Sequence, residues 1–436
     1  MARPSLGHRL ARRPLRGRPP FGPATTARRT AALAAVTLLG AVAGPTASAA
    51  SPSPSASSLP VGLYGAADPT YNGVWRQSAA LLALSSVKVT PAKEAVDWLV
   101  GQQCADGGFA TYRANPDKSC APKTEDTNSV AVAVQALAAV GGHGTTVSKA
   151  VRWLKSVQNS DGGWGYQPYA PSDANSTAVV IGALAAPGED VASVTRGGKS
   201  PYDALLSFQL GCGTKGVQDA QRGAFAYQPD KSGTLTANDK ATADAAFAAL
   251  GKGYVIGAPA KNTDPKAFGC SAAQKANDPA TAADAASAYL AATLSANGDH
   301  LTTAQPGSSQ KTADYGTTAD AVLALAAGGH AEAAKKPYEW LAKNAAGWAK
   351  GDPAALGSLI LASGATGANP HDFAGADLVQ QLVNTGPRPE EAATPSPSAD
   401  HKDGGGGMSV WWIVGAGLVA GIGIGWAFSM RNKKLV

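Results

Sequence analysis

Apolar positions between residues 70 and 385 recur at helical spacing in two alternating series. One series has an apolar stripe and a charged face: AVDWLVGQQCADGGFATY at 95–112, AVRWLKSVQNSDGGWGY at 150–166, ALLSFQL at 204–210, AYLAATLSANGDH at 288–300, EWLAKNAAGW at 339–348 and GADLVQQLV at 375–383. The other series is built of small residues and is apolar nearly all round: NGVWRQSAALLAL (72–84), DTNSVAVAVQAL (126–137), DANSTAVVIGAL (173–184), DKATADAAFAAL (239–250), DYGTTADAVLAL (314–325) and DPAALGSLILA (352–362). A helix apolar on every side is buried, and one with a polar face lies at the surface. The pattern therefore predicts twelve helices, an inner ring from the small-residue series and an outer ring from the tryptophan series. Self-similarity at a period of about 50 residues marks stacked supersecondary units. Six such pairs can close on themselves, giving an all-α, closed (α/α)6 toroid over residues 70–385.

The joints of this pattern carry local chemistry. Aspartates 126, 173, 239 and 314 lead four inner helices, with Ser129, Ser176, Thr242 and Thr317 three residues on. A carboxylate there accepts from free backbone N–H groups and faces the positive end of the helix dipole, so all four are expected to be N-caps. Aspartate-glycine-glycine turns end the first two outer helices, and an aromatic residue follows each.

The chain ends depart from the repeat. Residues 1–50 hold eight arginines, no acids, an apolar run from Ala31 to Val42 and a small-residue exit at Ala47–Ser48–Ala49, the pattern of a secretory signal peptide. The Arg28–Arg29 pair leaves the Sec and Tat routes both open. Residues 51–69 read as a flexible spacer opening with SPSPSASS, and 386–408, with PSPSAD and GGGG, as a stalk. Ser409 to Ser429 is free of charge, and Arg431, Lys433 and Lys434 follow. That predicts one transmembrane helix at 409–429 with a basic cytoplasmic tail at 430–436 and the body outside the cytoplasm. Gly417, Gly421 and Gly425 form two GxxxG steps, a spacing also ordinary in such spans.

Charge reads differently once the ends are set aside. The whole chain is +6, but eleven of its 37 basic residues lie in the leader and tail, so the body with all 31 acids is −5. Nothing there calls for a nucleic acid. The four cysteines, Cys104, Cys120, Cys212 and Cys270, all lie in the body. Pairing 104 with 120 and 212 with 270 would staple two loops, each between a glycine turn and the next inner helix. On the loop-entropy model these contribute roughly 3 and 4 kcal/mol. No paired-cysteine or histidine spacing supports zinc instead.

The run WLKSVQNSDGGWG resembles the QW-type repeat of the squalene–hopene cyclase and protein prenyltransferase superfamily, the α/α toroid. The likeness is strongest in the first two units and fades in the fourth and fifth, where the glutamine and the paired glycines are lost. It implies the fold far more than an activity, because that fold hosts cyclases, prenyltransferases, complement-type thioester proteins and cobalamin carriers of the transcobalamin and intrinsic factor kind. The marks of the catalytic branches are missing from the sequence. There is no DxDD run, no aspartate two residues before a cysteine and no DDxxD cluster, and Lys215 stands where a thioester motif begun at Gly211-Cys212-Gly213 would need glutamine.

A concave ligand site is what remains. Loops from outer to inner helices bear Phe109, Trp164 and Phe225 at one position and Tyr112, Tyr166 and Tyr227 just beyond. The first set is expected to plug between outer helices. The tyrosines, with Tyr71, Trp75, Asn128, Asn175 and Tyr315 near inner-helix starts, are candidates to line a small-molecule pocket. Asp244 and Asp320 sit in the second turn of helices otherwise small and apolar, where a carboxylate needs a partner, a wet cavity or a raised pKa. They are the candidates for ligand binding or, as a pair, for catalysis. The reading is a cell-surface, membrane-anchored and non-catalytic toroid without a cofactor. It would hold a small amphiphilic or corrinoid-like ligand for a transporter, or with a lid-domain partner. The alternatives are a cyclase-like, prenyltransferase-like or carbohydrate-active enzyme, and a structural or protein-docking module.

Overall fold

The computed structural model describes residues 60–270, 278–304 and 310–390. The expected signal peptide, the transmembrane helix with its GxxxG steps, the cytoplasmic tail, residues 51–59 of the spacer and all but the first residues of the stalk lie outside the described residues. Among the described residues, no helix is long and apolar enough to cross a membrane.

The described chain is helical apart from one small hairpin. Its elements are α1 (Gly73–Ser86), α2 (Lys93–Gly101), α3 (Thr127–Val140), α4 (Gly144–Ser156), α5 (Ala174–Ala185), α6 (Pro201–Ser207), α7 (Asp239–Ala249), α8 (Pro279–Ala296), β1 (Thr302–Ala304), β2 (Lys311–Ala313), α9 (Tyr315–Ala327), α10 (Ala331–Asn344), α11 (Ala346–Ala349), α12 (Pro353–Thr366) and α13 (Leu378–Val383). The helices form the α/α toroid that the two series imply. α1 packs on α3, α3 on α5, α5 on α7, α7 on α9, α9 on α12, and α12 back on α1. Outside them, α2, α4, α6, α8, α10 and α13 each lie against their inner partner. Alanine and glycine on the inner helices let the backbones approach closely, so α3, α5, α7 and α9 bury nearly every residue.

The QW-like turns work as clamps between neighbouring outer helices. Gln158 donates from Nε2 to the Gly162 carbonyl at 2.8 Å and to the Val194 carbonyl at 3.2 Å. Gln103 and Gln209 repeat the arrangement at their own turns, reaching on to the Thr146 and Ala282 carbonyls. Asp161 accepts from the Gly163 N–H and closes the turn. Glycine is required at 162 because φ is +89° and a Cβ would sit 2.3 Å from the Ser200 carbonyl oxygen.

Each turn then ties to an inner helix. The backbone N–H groups of Trp164, Phe225 and Leu301 donate to the hydroxyls of Thr177, Thr242 and Thr318. Their carbonyls accept from the N-cap residues Asp173, Asn238 and Asp314. Phe109, Trp164 and Phe225 are fully buried, as expected of plugs.

Three of the four expected caps are present: Asp126, Asp173 and Asp314 accept from the N–H groups of Ser129, Ser176 and Thr317. The fourth is displaced by one residue. Asn238, in extended conformation, caps α7 by accepting from Ala241, and Asp239 is the first helical residue, where it accepts from the Tyr289 hydroxyl at 2.7 Å. The β1–β2 hairpin, paired Thr302 to Ala313, and the short α11 are additions to the predicted twelve helices. Both expected disulfides are formed, Cys104–Cys120 and Cys212–Cys270.

Two further features position the site. After α7 the chain folds back across the ring, and the Tyr254 N–H donates to Gln135 Oε1 on α3. The Tyr254 ring lies against Trp75 at 6.2 Å and Phe247 at 5.5 Å. At the other extreme of the chain, the ends of the ring are sewn together. The Gly65 N–H donates to the Thr385 carbonyl, the Tyr64 hydroxyl to the Pro387 carbonyl, and the Glu390 N–H to the Thr90 carbonyl.

Candidate functional site

A cavity of about 330 Å³ opens among the first turns of α1, α7, α9 and α12. Its walls are Trp75, Trp348, Leu82, Val132, Leu323 and Leu361, and its polar groups are Lys240, Tyr254, Asp320, Asp314, Asp352, Thr317 and Ser358. The volume is at the lower end of the range for enclosed small-molecule sites, about 300–1,000 Å³, and the mostly apolar lining with a few convergent polar groups fits that class.

An ion cluster forms the polar end. Lys240 Nζ lies 2.6 Å from both oxygens of Asp244, one turn on along α7, and 3.2 Å from Asp320 Oδ2 on α9. Asn175 Nδ2 on α5 adds a 2.8 Å hydrogen bond to Asp244 Oδ2. Asp244 is 1% exposed, whereas the Lys240 side chain keeps 41% of its surface open because it faces the cavity while protein surrounds it. Burial pulls the Lys240 ammonium down, but the two carboxylates overcome this and hold it well above the usual lysine value. Burial, opposed by Lys240 and reinforced by Asp244, pushes the Asp320 carboxyl up to about 6. Burial, then the Asp244 charge, pushes the Tyr254 phenol well above its usual value, so it stays a neutral O–H donor. That hydroxyl has no hydrogen-bond partner among the described residues.

The remaining sequence candidates divide between this cavity and the rim. Trp75 and Asp320 line it, and Asp244 and Asn175 buttress it through Lys240. Asn128 stands at the start of α3 with its buried Oδ1 unpartnered. Tyr71 is 85% exposed, Tyr166 50% and Tyr227 41%, which puts these three on the outer rim and not among the cavity walls. The carbonyls of Tyr166 and Tyr227 accept from Thr127 and Ala174 at the starts of the preceding inner helices, α3 and α5, so their backbones serve the ring. Tyr112 stacks on Trp98 at 6.4 Å. Tyr315 lies between Trp340 and Trp348 in a stack that ends at His300, with centroids 4.4–5.6 Å apart. Of these four rings only Trp348 reaches the cavity.

Sequence reasoning missed Lys240, Tyr254 and Trp348. The Lys240–Asp244 spacing of four on a helix was a readable signal, since such residues face each other. Trp348 also stood in plain register, eight residues after Trp340. Tyr254 lies in a loop with no periodicity, and only the fold-back brings it into the ring.

The pairing of Asp244 with Asp320 has a chemical consequence. A glycosidase needs two carboxyls facing each other across a substrate. Here one ammonium bridges them, and Asp244 spends both oxygens on Lys240 and one again on Asn175, without lining the cavity. The carbohydrate-active version of the pair is therefore set aside.

Comparison with known proteins agrees with the architecture. Residues 61–208 match the prenyltransferase alpha-alpha toroid domain family. The squalene–hopene cyclase of Zymomonas mobilis is 32% identical over 145 residues, covering 30% of this chain and 21% of that protein. A drimenyl diphosphate synthase of Streptomyces showdoensis is 35% identical over 115 residues, covering 25% of this chain and 20% of its own. The chain thus spans about a fifth of the length of these relatives. Among solved structures, the ent-copalyl diphosphate synthase from Streptomyces platensis aligns with a TM-score of 0.43 at 17% identity, covering 68% of this chain and 50% of that one. The closed ring of paired helices and the glutamine-clamped glycine turns accord with these likenesses: over residues 61–208 the chain carries the prenyltransferase alpha-alpha toroid domain, and over part of its length it is similar to a squalene–hopene cyclase and a drimenyl diphosphate synthase.

Proposed function

We propose that the toroid holds a small, mainly apolar molecule of the isoprenoid kind in the cavity among α1, α7, α9 and α12. The observation that carries this is the lining: aromatic and aliphatic walls with a few charged groups, the lysine among them paired with carboxylates. The names of the relatives, a squalene–hopene cyclase and a drimenyl diphosphate synthase, point to the same ligand class. A corrinoid is much larger than a drug-sized ligand, and about 330 Å³ does not enclose one. The two disulfides support an exported body, and holding an apolar molecule outside the cytoplasm suits an anchored carrier that delivers it to a membrane partner.

The second reading is a terpene cyclase-like enzyme, and the relatives favour it. Its acid would be Asp320, the one cavity carboxyl that does not cap a helix. Protonating an alkene needs a neutral carboxylic acid. At a value of about 6, with the Lys240 ammonium 3.2 Å away, Asp320 is mostly ionised at neutral pH, which favours holding over turnover.

The full-length chain, incubated with squalene and with farnesyl diphosphate, is then extracted and analysed by mass spectrometry. Recovery of unchanged molecules, retained by the protein and lost when Trp348→Ala opens the wall, is the expected result. A cyclised product that disappears in Asp320→Asn would replace this reading with the enzyme.

A further inference from the structure

We infer that the ligand of this cavity is an apolar alcohol, whose neutral hydroxyl is taken up between the Tyr254 hydroxyl and the Asp320 carboxylate. The inference rests on the cavity reading above and names its polar group.

The argument starts from a count of unused donors and acceptors. Lys240 has three N–H bonds, and three oxygens already receive them: both of Asp244 and Oδ2 of Asp320. Ser358 donates to the Ala354 carbonyl, and Thr317 to Asp314 Oδ2. Asp314 and Asp352 accept from the first N–H groups of α9 and α12. Among the hydroxyl and ammonium donors of the lining, the Tyr254 hydroxyl is left over, on a residue only 7% exposed. A buried O–H without an acceptor costs about 1–3 kcal/mol, and an oxygen seated within its reach would recover that cost.

Charge then selects among the groups that bring an oxygen. A phosphate would meet three lining carboxylates, Asp314, Asp320 and Asp352, with the lysine already neutralised. An ammonium would lie beside Lys240 and offer Tyr254 no acceptor. A hydroxyl matches both sides of the gap. Its oxygen accepts from Tyr254, its hydrogen goes to Asp320, and no net charge is buried. The apolar remainder lies against Trp75, Trp348, Leu323 and Leu361.

Four probes with one carbon chain test this on the full-length protein: farnesol, β-farnesene, farnesylamine and farnesyl diphosphate, with affinities from quenching of tryptophan fluorescence. Farnesol is expected to bind at least about tenfold tighter than the other three, the factor that one satisfied buried hydrogen bond supplies. Tyr254→Phe, which keeps the ring contacts with Trp75 and Phe247, should bring farnesol down to the level of β-farnesene and leave β-farnesene unchanged. Tighter binding of the diphosphate or the amine, or a farnesol preference that survives in Tyr254→Phe, overturns the inference. Equal binding of farnesol and β-farnesene overturns it too while leaving the cavity reading intact. Failure of all four probes to bind removes both. If Tyr254→Phe does not fold, the ranking of the probes on the unaltered protein decides.

Discussion

The two halves of the ring are built from the same helix pairs and have diverged in what they carry. From α1 to α6 the units are regular: glutamine clamps, glycine turns and buried aromatic plugs recur in register, and the family match covers this stretch up to residue 208. From α7 onward the turns lose their glutamines, a hairpin intrudes, buried Leu301 takes the place of the aromatic plug, and a four-ring stack forms. Yet Lys240, Tyr254, Asp320 and Trp348 all lie in this second half. Regularity serves closure of the ring, which any cargo would share, while specific chemistry collects where the repeat has been broken.

The largest expected effect contrasts two glycines. In Gly162→Val the new side chain would meet the Ser200 carbonyl at 2.3 Å in a backbone of positive φ, so upwards of about 4 kcal/mol of stability should be lost. Gly298, in the corresponding turn of the second half, has φ of +72° with open space around it, and Gly298→Ala should cost only about 1 kcal/mol. Urea denaturation measures both, and equal losses would show that the two halves are clamped alike.

The next contrast is between ion pairs. Lys240→Met strands Asp244 at 1% exposure and should cost about 3–5 kcal/mol. Lys93→Met breaks a pair whose side chains are 75% and 56% exposed, and should leave the melting temperature nearly unchanged. If thermal melting shows Lys240→Met to be as mild as Lys93→Met, the cluster is not the buried anchor of the second half.

The smallest effect is a pH dependence. Glu125, 2% exposed beside the first disulfide, accepts from Trp153 Nε1 at 3.1 Å. Burial, then the Asp106 charge, pushes its carboxyl up to about 7. The folded state therefore binds this proton more tightly than the unfolded chain does. The stability it contributes is complete below the ordinary carboxylate range and is lost as pH rises through 7. Melting temperature should fall between pH 5.5 and pH 8, and Glu125→Gln should flatten that fall without changing ligand affinity. An unchanged slope would assign the titration to another group.

Much of the scaffold was legible because helical period, capping aspartates and glycine turns are local signals. The alternation of small-residue and tryptophan helices is enough to order the ring, and the loop argument is enough to pair the cysteines. The site was legible only in part. Asp244 and Asp320 stood out as acids on apolar helices, but their bridge through Lys240 joins α7 to α9, a contact that no local pattern records. Tyr254 depends on a loop folding back over the ring. Sequence order places Tyr166 and Tyr227 near helix starts without saying which way a loop side chain turns, and neither ring lines the cavity. The capping slip at α7 has the same root: Asn238 and Asp239 are both good caps, and the extended backbone at 238 chooses between them.

The seam at Tyr64, Gly65 and Glu390 also has a mechanical consequence. Both ends of the described chain leave the ring at one place, so tension between residues 60 and 390 loads the three bonds of the seam before it loads any helix pair. Such bonds yield one at a time, like a zip, while the helix pairs elsewhere stay slack. A pull on this protein in an optical trap would therefore begin with a small extension at low force as the ends part, and the ring would rupture only afterwards.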